Sequence, residues 1–184
     1  VDSLEWLERL LPLELNIIQL RVKNINDPVQ LEKTIAAAIS MYDGSKTRLF
    51  INDYWQLAIK HKAYGVHIGQ EDLQDADLVA IQQAGVRLGI STHGCYEFLL
   101  AQQLKPSYLA IGAIFPTKTK DMTGQIQGLE NLEQILGLAE DITVVAIGGI
   151  NLERAPIVWQ TGVDSSAVVT AITEAKSPEH AVAN

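Results

Sequence analysis

Short, near-continuously apolar runs separated by stretches of helical period constrain this chain more than any other feature. Runs at 17–22, 48–51, 65–68, 87–90, 108–111, 143–147 and 166–169 read as strands. Strands apolar on both faces must be covered on both faces, which excludes a sheet with one wet side. Between them lie stretches at 28–42, 55–63, 73–84, 96–104, 129–138 and 152–159 with the spacing of amphipathic helices. The first shows the pattern: Asp27-Pro28 is a start signal, and Ile35, Ile39 and Tyr42 follow at i, i+4 and i+7. A helix over 2–11 precedes the first run, and another opens at Ser177-Pro178. Repeated βα units without a long linker predict a parallel sheet joined by right-handed crossovers.

Such a sheet is either open and doubly wound or closed into a barrel, and the polar residues favour the barrel. Each run ends in chemistry: Gln19, Arg21 and Lys23; Asn52-Asp53; His67 and then Gln70-Glu71-Asp72; Ser91-Thr92-His93; Thr117 to Lys120; Gly148-Gly149; and Thr170. Residues of this kind ring the C-terminal mouth of an eightfold βα (TIM) barrel, whereas an open sheet gathers them at one crevice. The expectation is therefore an α/β chain, a single βα-barrel domain over 1–184 that lacks the first strand and part of the last helix. An unclosed barrel leaves strand edges exposed, which predicts a tendency to form homo-oligomers.

Charge narrows the partners. Lys and Arg number 14 against 22 Asp and Glu, a net charge of −8, which argues against nucleic acid or an anionic membrane surface. Small molecules remain, and any bound phosphate needs a locally basic pocket on an acidic protein. Cys95 is the only cysteine, so no intramolecular disulfide forms and a cytoplasmic location fits. No apolar run reaches membrane length.

Several constellations carry chemistry. In Tyr108–Lys120 an apolar strand runs into Gly112, Pro116 and then Thr117-Lys118-Thr119-Lys120. The threonine hydroxyls can donate to phosphate oxygens while Lys118 or Lys120 neutralises them. Gln19, Arg21 and Lys23 alternate with Leu20 and Val22, so a continuing strand puts the polar three on one face. Cations at i and i+2 suit a diphosphate and are not buried without an anion. Asp53 and Asp72 follow neighbouring strands, and magnesium favours few protein carboxylates together with phosphate oxygens. Taken alone, each aspartate also reads as a helix cap, Asp53 before Tyr54-Trp55 and Asp72 before 73–84. Gly148-Gly149 lets backbone approach a ligand and opens towards a helix, and with Val169-Thr170 it occupies the place where barrels commonly hold phosphate. His67 reads as a core histidine within a strand, and His93 has no neighbouring nucleophile. These residues describe two anion regions and a divalent metal, with no activated nucleophile. That is the profile of a transferase whose metal-bound diphosphate is a leaving group.

The motifs Gln19-Leu20-Arg21-x-Lys23, Ile51-Asn52-Asp53, Gly65-Val66-His67-Ile68-Gly69-Gln70-Glu71-Asp72-Leu73, Gly89-Ile90-Ser91-Thr92-His93, Pro116-Thr117-x-Thr119-Lys120 and Ala146-Ile147-Gly148-Gly149-Ile150 occur in that order. Together they resemble the motif series of the thiamine phosphate synthase family, over residues 2–175. The resemblance implies a TIM barrel of thiamine biosynthesis that joins a pyrimidine-methyl diphosphate to a thiazole phosphate. It assigns Gln19, Leu20, Arg21, Val22, Lys23, Asn52, Ser91 and Lys120 to the pyrimidine diphosphate, with Arg21, Lys23, Ser91 and Lys120 closest to the chemistry. It assigns Asp53 and Asp72 to magnesium. Thr117, Lys118, Thr119, Gly149, Val169 and Thr170 go to the thiazole phosphate. The implied mechanism is dissociative, with diphosphate leaving before the thiazole nitrogen attacks. One departure is Leu13-Glu14-Leu15-Asn16, where such proteins usually carry a turn of small residues. The alternatives are a thiazole tautomerase of the same fold, with His93 as acid–base group, and a binding-only barrel.

Overall fold

The computed structural model describes residues 1–117 and 126–183, and the chain divides into two compact units at Leu88/Gly89. The first unit opens with helix α1 (Leu4–Leu10), whose N-cap Ser3 accepts a hydrogen bond from the Trp6 amide. Strands β1 (Ile17–Leu20), β2 (Arg48–Asn52) and β3 (Gly65–Ile68) follow, paired in parallel and in sequence order. The register places Gln19 opposite Phe50 and Asn52 opposite His67. Helix α2 (Pro28–Tyr42) has the expected bounds, with Asp27 capping the Val29 amide and Ile35, Ala38 and Tyr42 buried. Helix α3 (Trp55–Lys60) crosses from β2 to β3. The predicted helix at 73–84 is instead two short ones, α4 (Gln70–Leu73) and α5 (Leu78–Gln83). Asp77 causes the break: its carboxylate accepts from the Ala80 amide at 2.9 Å and starts a new helix, as aspartate does when it competes for backbone donors.

Strand β4 (Arg87–Thr92) crosses the boundary between the units. On the first side the Arg87 amide donates to the Tyr64 carbonyl and its guanidinium stands 4.2 Å from the Tyr64 ring centroid. On the second side β4 pairs in parallel with β5 (Tyr108–Ile111), β5 with β6 (Thr143–Ile147) and β6 with β7 (Ser165–Ala167). Helices α6 (Cys95–Gln102), α7 (Gly128–Leu136) and α8 (Ala155–Trp159) connect them, and α9 (Thr170–Thr173) and α10 (Pro178–Ala183) follow β7. Parallel βα units throughout bear out the α/β class. Buried Leu49, Ile51, Val66 and Ile68 form the first unit's core, and Ile90, Leu109, Ile111, Val144 and Ala146 the second's. A glycine makes room for a ring in each unit. A Cβ on Gly65 would lie 2.3 Å from Phe50, and one on Gly89 would lie 2.2 Å from Tyr108.

The element ends differ from expectation where polar residues take over. Strand β1 stops at Leu20 rather than running to 22, the point at which its pairing with Ile51 ends. Burial still alternates beyond it, with Val22 buried, Arg21 half-buried and Lys23 exposed. Strand β7 stops at Ala167, and Val169 bends into α9. Helix α8 opens only at Ala155, because Asn151 holds 151–154 in a turn by accepting the Arg154 amide on its side chain at 3.0 Å.

Candidate functional site

In the first unit the C-terminal ends of β1 and β2 assemble a chain of side chains. The Gln19 amide nitrogen donates to Asn52 Oδ1, and Asn52 Nδ2 donates to Asp53 Oδ2. Asn52 is only 7 % exposed, so both ends of its amide are satisfied inside the protein. A carboxylate only accepts, which fixes Nδ2 towards Asp53 and Oδ1 towards Gln19. Asp53 reaches this position through a left-handed backbone, φ +67°, a conformation aspartate adopts more readily than most residues. Its amide donates to the His67 carbonyl at 2.9 Å and its carbonyl accepts from the Trp55 amide at 2.7 Å.

Those contacts decide the cap question. The N-cap of α3 is Tyr54, without a side-chain cap, so the Asp53 carboxylate does not cap that helix. Asp72 lies exposed in the first turn of α4, whose N-cap is Gly69, while Asp77 caps α5. Neither aspartate is the N-cap residue of the helix that follows it. Among the described residues no group of three or more His, Cys, Asp or Glu could hold a metal. The metal expected from the sequence would have Asp53 and Asp72 as its protein donors, two hard carboxylates whose chemistry suits magnesium rather than a thiolate or imidazole metal. Leu20 and Val22 bury their side chains and leave only backbone to offer a ligand. His67 is buried within β3, as a core histidine is.

The second unit contributes a different kind of surface. Gly148 and Gly149 have φ of +103° and +64°. Residues 113–116 lie against them: the Ile114 and Phe115 amides donate to the Ile147 and Gly148 carbonyls, each at 3.0 Å. A Cβ on Gly149 would sit 2.6 Å from the Pro116 carbonyl oxygen, so only glycine fits. This brings Pro116 to the glycine turn, and half-buried Thr117 follows it in the chain. Among the described residues no acceptor meets the amides of Gly149 and Ile150, although Ile150 is 4 % exposed. Consecutive unfilled N–H groups in a left-handed turn form an anion-binding concavity. Because α8 begins six residues further on, these amides belong to the turn and not to a helix end.

Arg154 was not singled out by sequence, where it reads as one turn of a helix at 152–159. Its Nη1 donates to the Gly149 carbonyl at 2.7 Å, and its guanidinium lies 4.8 Å from the Phe115 ring centroid. Ser91 is half-buried in β4, beside Thr92, whose hydroxyl donates to the Ala110 carbonyl. Val169 and Thr170 stand at the start of α9, Thr170 exposed. His93 Nδ1 and its backbone amide both meet Glu97 Oε2, at 3.0 and 2.7 Å, which ties that histidine to the first turn of α6. Lys118, Thr119 and Lys120 lie outside the described residues. A cavity of about 490 Å³ opens at the start of β6, but Glu140, Asp141 and Asp164 line it and repel an anion.

Parallel βα units with polar residues gathered at the strand ends have the architecture of an α/β enzyme. The family model described as thiamine monophosphate synthase matches residues 1–172. A thiamine-phosphate synthase of Yersinia pseudotuberculosis is 56% identical over 183 residues, covering 100% of this chain and 85% of the relative. One from Salmonella typhimurium is 54% identical, with 100% and 86% covered. The chain belongs to the thiamine monophosphate synthase family and is a transferase of thiamine biosynthesis. Among solved structures, a thiamine phosphate pyrophosphorylase from Pyrococcus furiosus aligns with a TM-score of 0.79 at 32% identity, covering 92% of this chain and 81% of that one. A 3-hexulose-6-phosphate synthase aligns at 0.69 with 14% identity and shares the fold alone.

Proposed function

We propose that the chain joins 4-amino-2-methyl-5-hydroxymethylpyrimidine diphosphate to 4-methyl-5-hydroxyethylthiazole phosphate, releasing thiamine phosphate and diphosphate, and that it does so within a single TIM-barrel-type βα domain over 1–184. The Gln19–Asn52–Asp53 chain of hydrogen bonds carries this reading. It makes one polar array of an amide suited to a pyrimidine edge and a carboxylate suited to a metal.

Arg21, Lys23 and Lys120 neutralise charge as it gathers on the departing diphosphate, and Ser91 donates a hydroxyl to it. Gln19 and Asn52 orient the pyrimidine, and Leu20 and Val22, with buried side chains, contribute backbone. Asp53 and Asp72 would hold magnesium, which supplies further positive charge to the leaving group. These fixed charges meet more negative charge in the transition state than in the ground state, which is the condition for raising kcat. Gly149, Thr117, Lys118, Thr119, Val169 and Thr170 hold the thiazole phosphate, and with it the attacking nitrogen. That nitrogen carries no proton, so no general base is required.

Among the described residues no helix is long and apolar enough to cross a membrane. The reading is completed by a cytoplasmic location, partners limited to small molecules without nucleic acid or membrane, and homo-oligomer formation that light scattering would measure. The test of function is thiamine phosphate formation by the purified chain with both substrates, first with magnesium and then with EDTA. Metal-dependent product is expected. A folded chain that makes none with magnesium present overturns the reading.

A further inference from the structure

We infer that Arg154 is a positioning residue for the thiazole phosphate: it holds the glycine turn from the carbonyl side so that the turn's amides face the phosphate. The inference rests on the reading that the phosphate binds at Gly149.

The sequence of contacts is local. Arg154 closes the turn after Gly148-Gly149, and its guanidinium is pinned twice, by Nη1 on the Gly149 carbonyl at 2.7 Å and by the Phe115 face at 4.8 Å. The peptide between Gly149 and Ile150 is trans, so its oxygen and its hydrogen point in opposite directions. Fixing the oxygen therefore fixes the direction of the Ile150 N–H, which meets no acceptor among the described residues and is shielded from water. A shielded N–H held without a partner is costly unless a ligand supplies one. Gly149 on its own would not hold that direction, since glycine populates both signs of φ with similar ease.

No carboxylate competes for the Arg154 side chain among the described residues, whereas Lys46 pairs with Glu14 and Lys60 with Glu32. In a chain with 22 acidic residues against 14 basic ones, a half-buried guanidinium clear of carboxylates keeps its donors for the Gly149 carbonyl. Arginine suits this task, because its planar fork can donate to a carbonyl while its face rests on a ring.

The experiment compares the thiazole phosphate with the unphosphorylated thiazole alcohol as acceptors, in wild type, Arg154→Met, Arg154→Lys and Gly149→Ala. Arg154→Met should raise KM for the thiazole phosphate roughly tenfold and cut the preference for phosphorylated over unphosphorylated acceptor by about the same factor, with KM for the pyrimidine diphosphate unchanged. Arg154→Lys keeps the charge and loses the pinned plane, and should recover only part of the preference. A general loss of fold lowers kcat/KM for both acceptors equally and leaves their ratio alone. Wild-type preference in both Arg154 variants, with Gly149→Ala impaired for the phosphate, overturns the role of Arg154 and spares the site. Wild-type preference in Gly149→Ala overturns the placement of the phosphate itself.

Discussion

The ends of β1 and β2 and the turn after β6 both face an anion in the proposed function, but they are built from different material. The first is made of side chains: Gln19, Asn52 and Asp53 in hydrogen-bonded sequence, with Arg21 and Lys23 beside them in the chain. The second is made of backbone: two left-handed glycines, amides that meet no acceptor among the described residues, and a neighbouring segment so close that a methyl group has no space. The difference matches two tasks. A leaving group that gains charge during reaction needs fixed charges, which act on kcat. A phosphate whose charge does not change needs a shaped receptacle, which acts mainly on KM.

The sharpest way to break that contrast is to swap the expected kinetic effects. Asp53→Ala should reduce thiamine phosphate formation by roughly two to three orders of magnitude, the scale on which a group stabilising developing charge acts. Calorimetry should show its affinity for thiazole phosphate intact. Retained magnesium-dependent turnover would remove Asp53 from the metal site. Gly149→Ala puts a methyl 2.6 Å from the Pro116 oxygen at a left-handed φ and should raise KM for the thiazole phosphate about thirtyfold, on the basis of the strain such positions store. If it lowers kcat instead and leaves KM alone, the backbone region is not a mere receptacle.

The same contrast explains what could be read in the sequence. Strand positions were legible because their apolar runs have few other uses, and α2 was legible to its ends because Asp27-Pro28 and Tyr42 mark them. Polar residues at strand ends advertised the side-chain region directly. Its wiring was hidden, since no spacing rule says that Asn52 spends its amide on Gln19 and Asp53. Gly148-Gly149 signalled a turn, but the unfilled amides depend on where residues 113–116 lie. Arg154 carries no signal in the sequence, because its local context reads as helix. Only the structure shows Asn151 holding a turn there and delaying α8 to Ala155. The single helix expected at 73–84 failed for a similar reason, as Asp77 looked like one polar position on a helical face and acts as a cap.

The wiring can be tested without turnover. If Asn52 orients Asp53, Asn52→Ala should weaken binding of manganese, a spectroscopic stand-in for magnesium, about tenfold, at the lower end of what lost support around a metal ligand costs. Gln19→Met keeps the bulk but removes the donor to Asn52, and should produce a smaller loss in the same direction. Unchanged manganese affinity in both would mean that the chain of hydrogen bonds does not serve the metal.

The smallest expected effect compares the two units through their buried phenols. Tyr42 donates to the Leu7 carbonyl at 2.9 Å, and burial pushes its pKa up to about 12. Burial raises Tyr108, whose ring lies over Gly89, further still. An unfolded tyrosine ionises near pH 10, so both neutral phenols stabilise the fold fully below roughly that pH. Above it the unfolded state releases protons that the folded state keeps, and stability falls until the folded pKa is passed. For Tyr42 that window runs from roughly pH 10 to about 12, and for Tyr108 it extends higher. Thermal midpoints followed upward from pH 9 should therefore fall in the wild type. They should fall less steeply in Tyr42→Phe, and least steeply at the highest pH in Tyr108→Phe. If both variants track the wild type above pH 10, the phenols do not control alkaline loss in either unit. If Tyr42→Phe alone flattens the curve, the first unit is the one that yields to alkali.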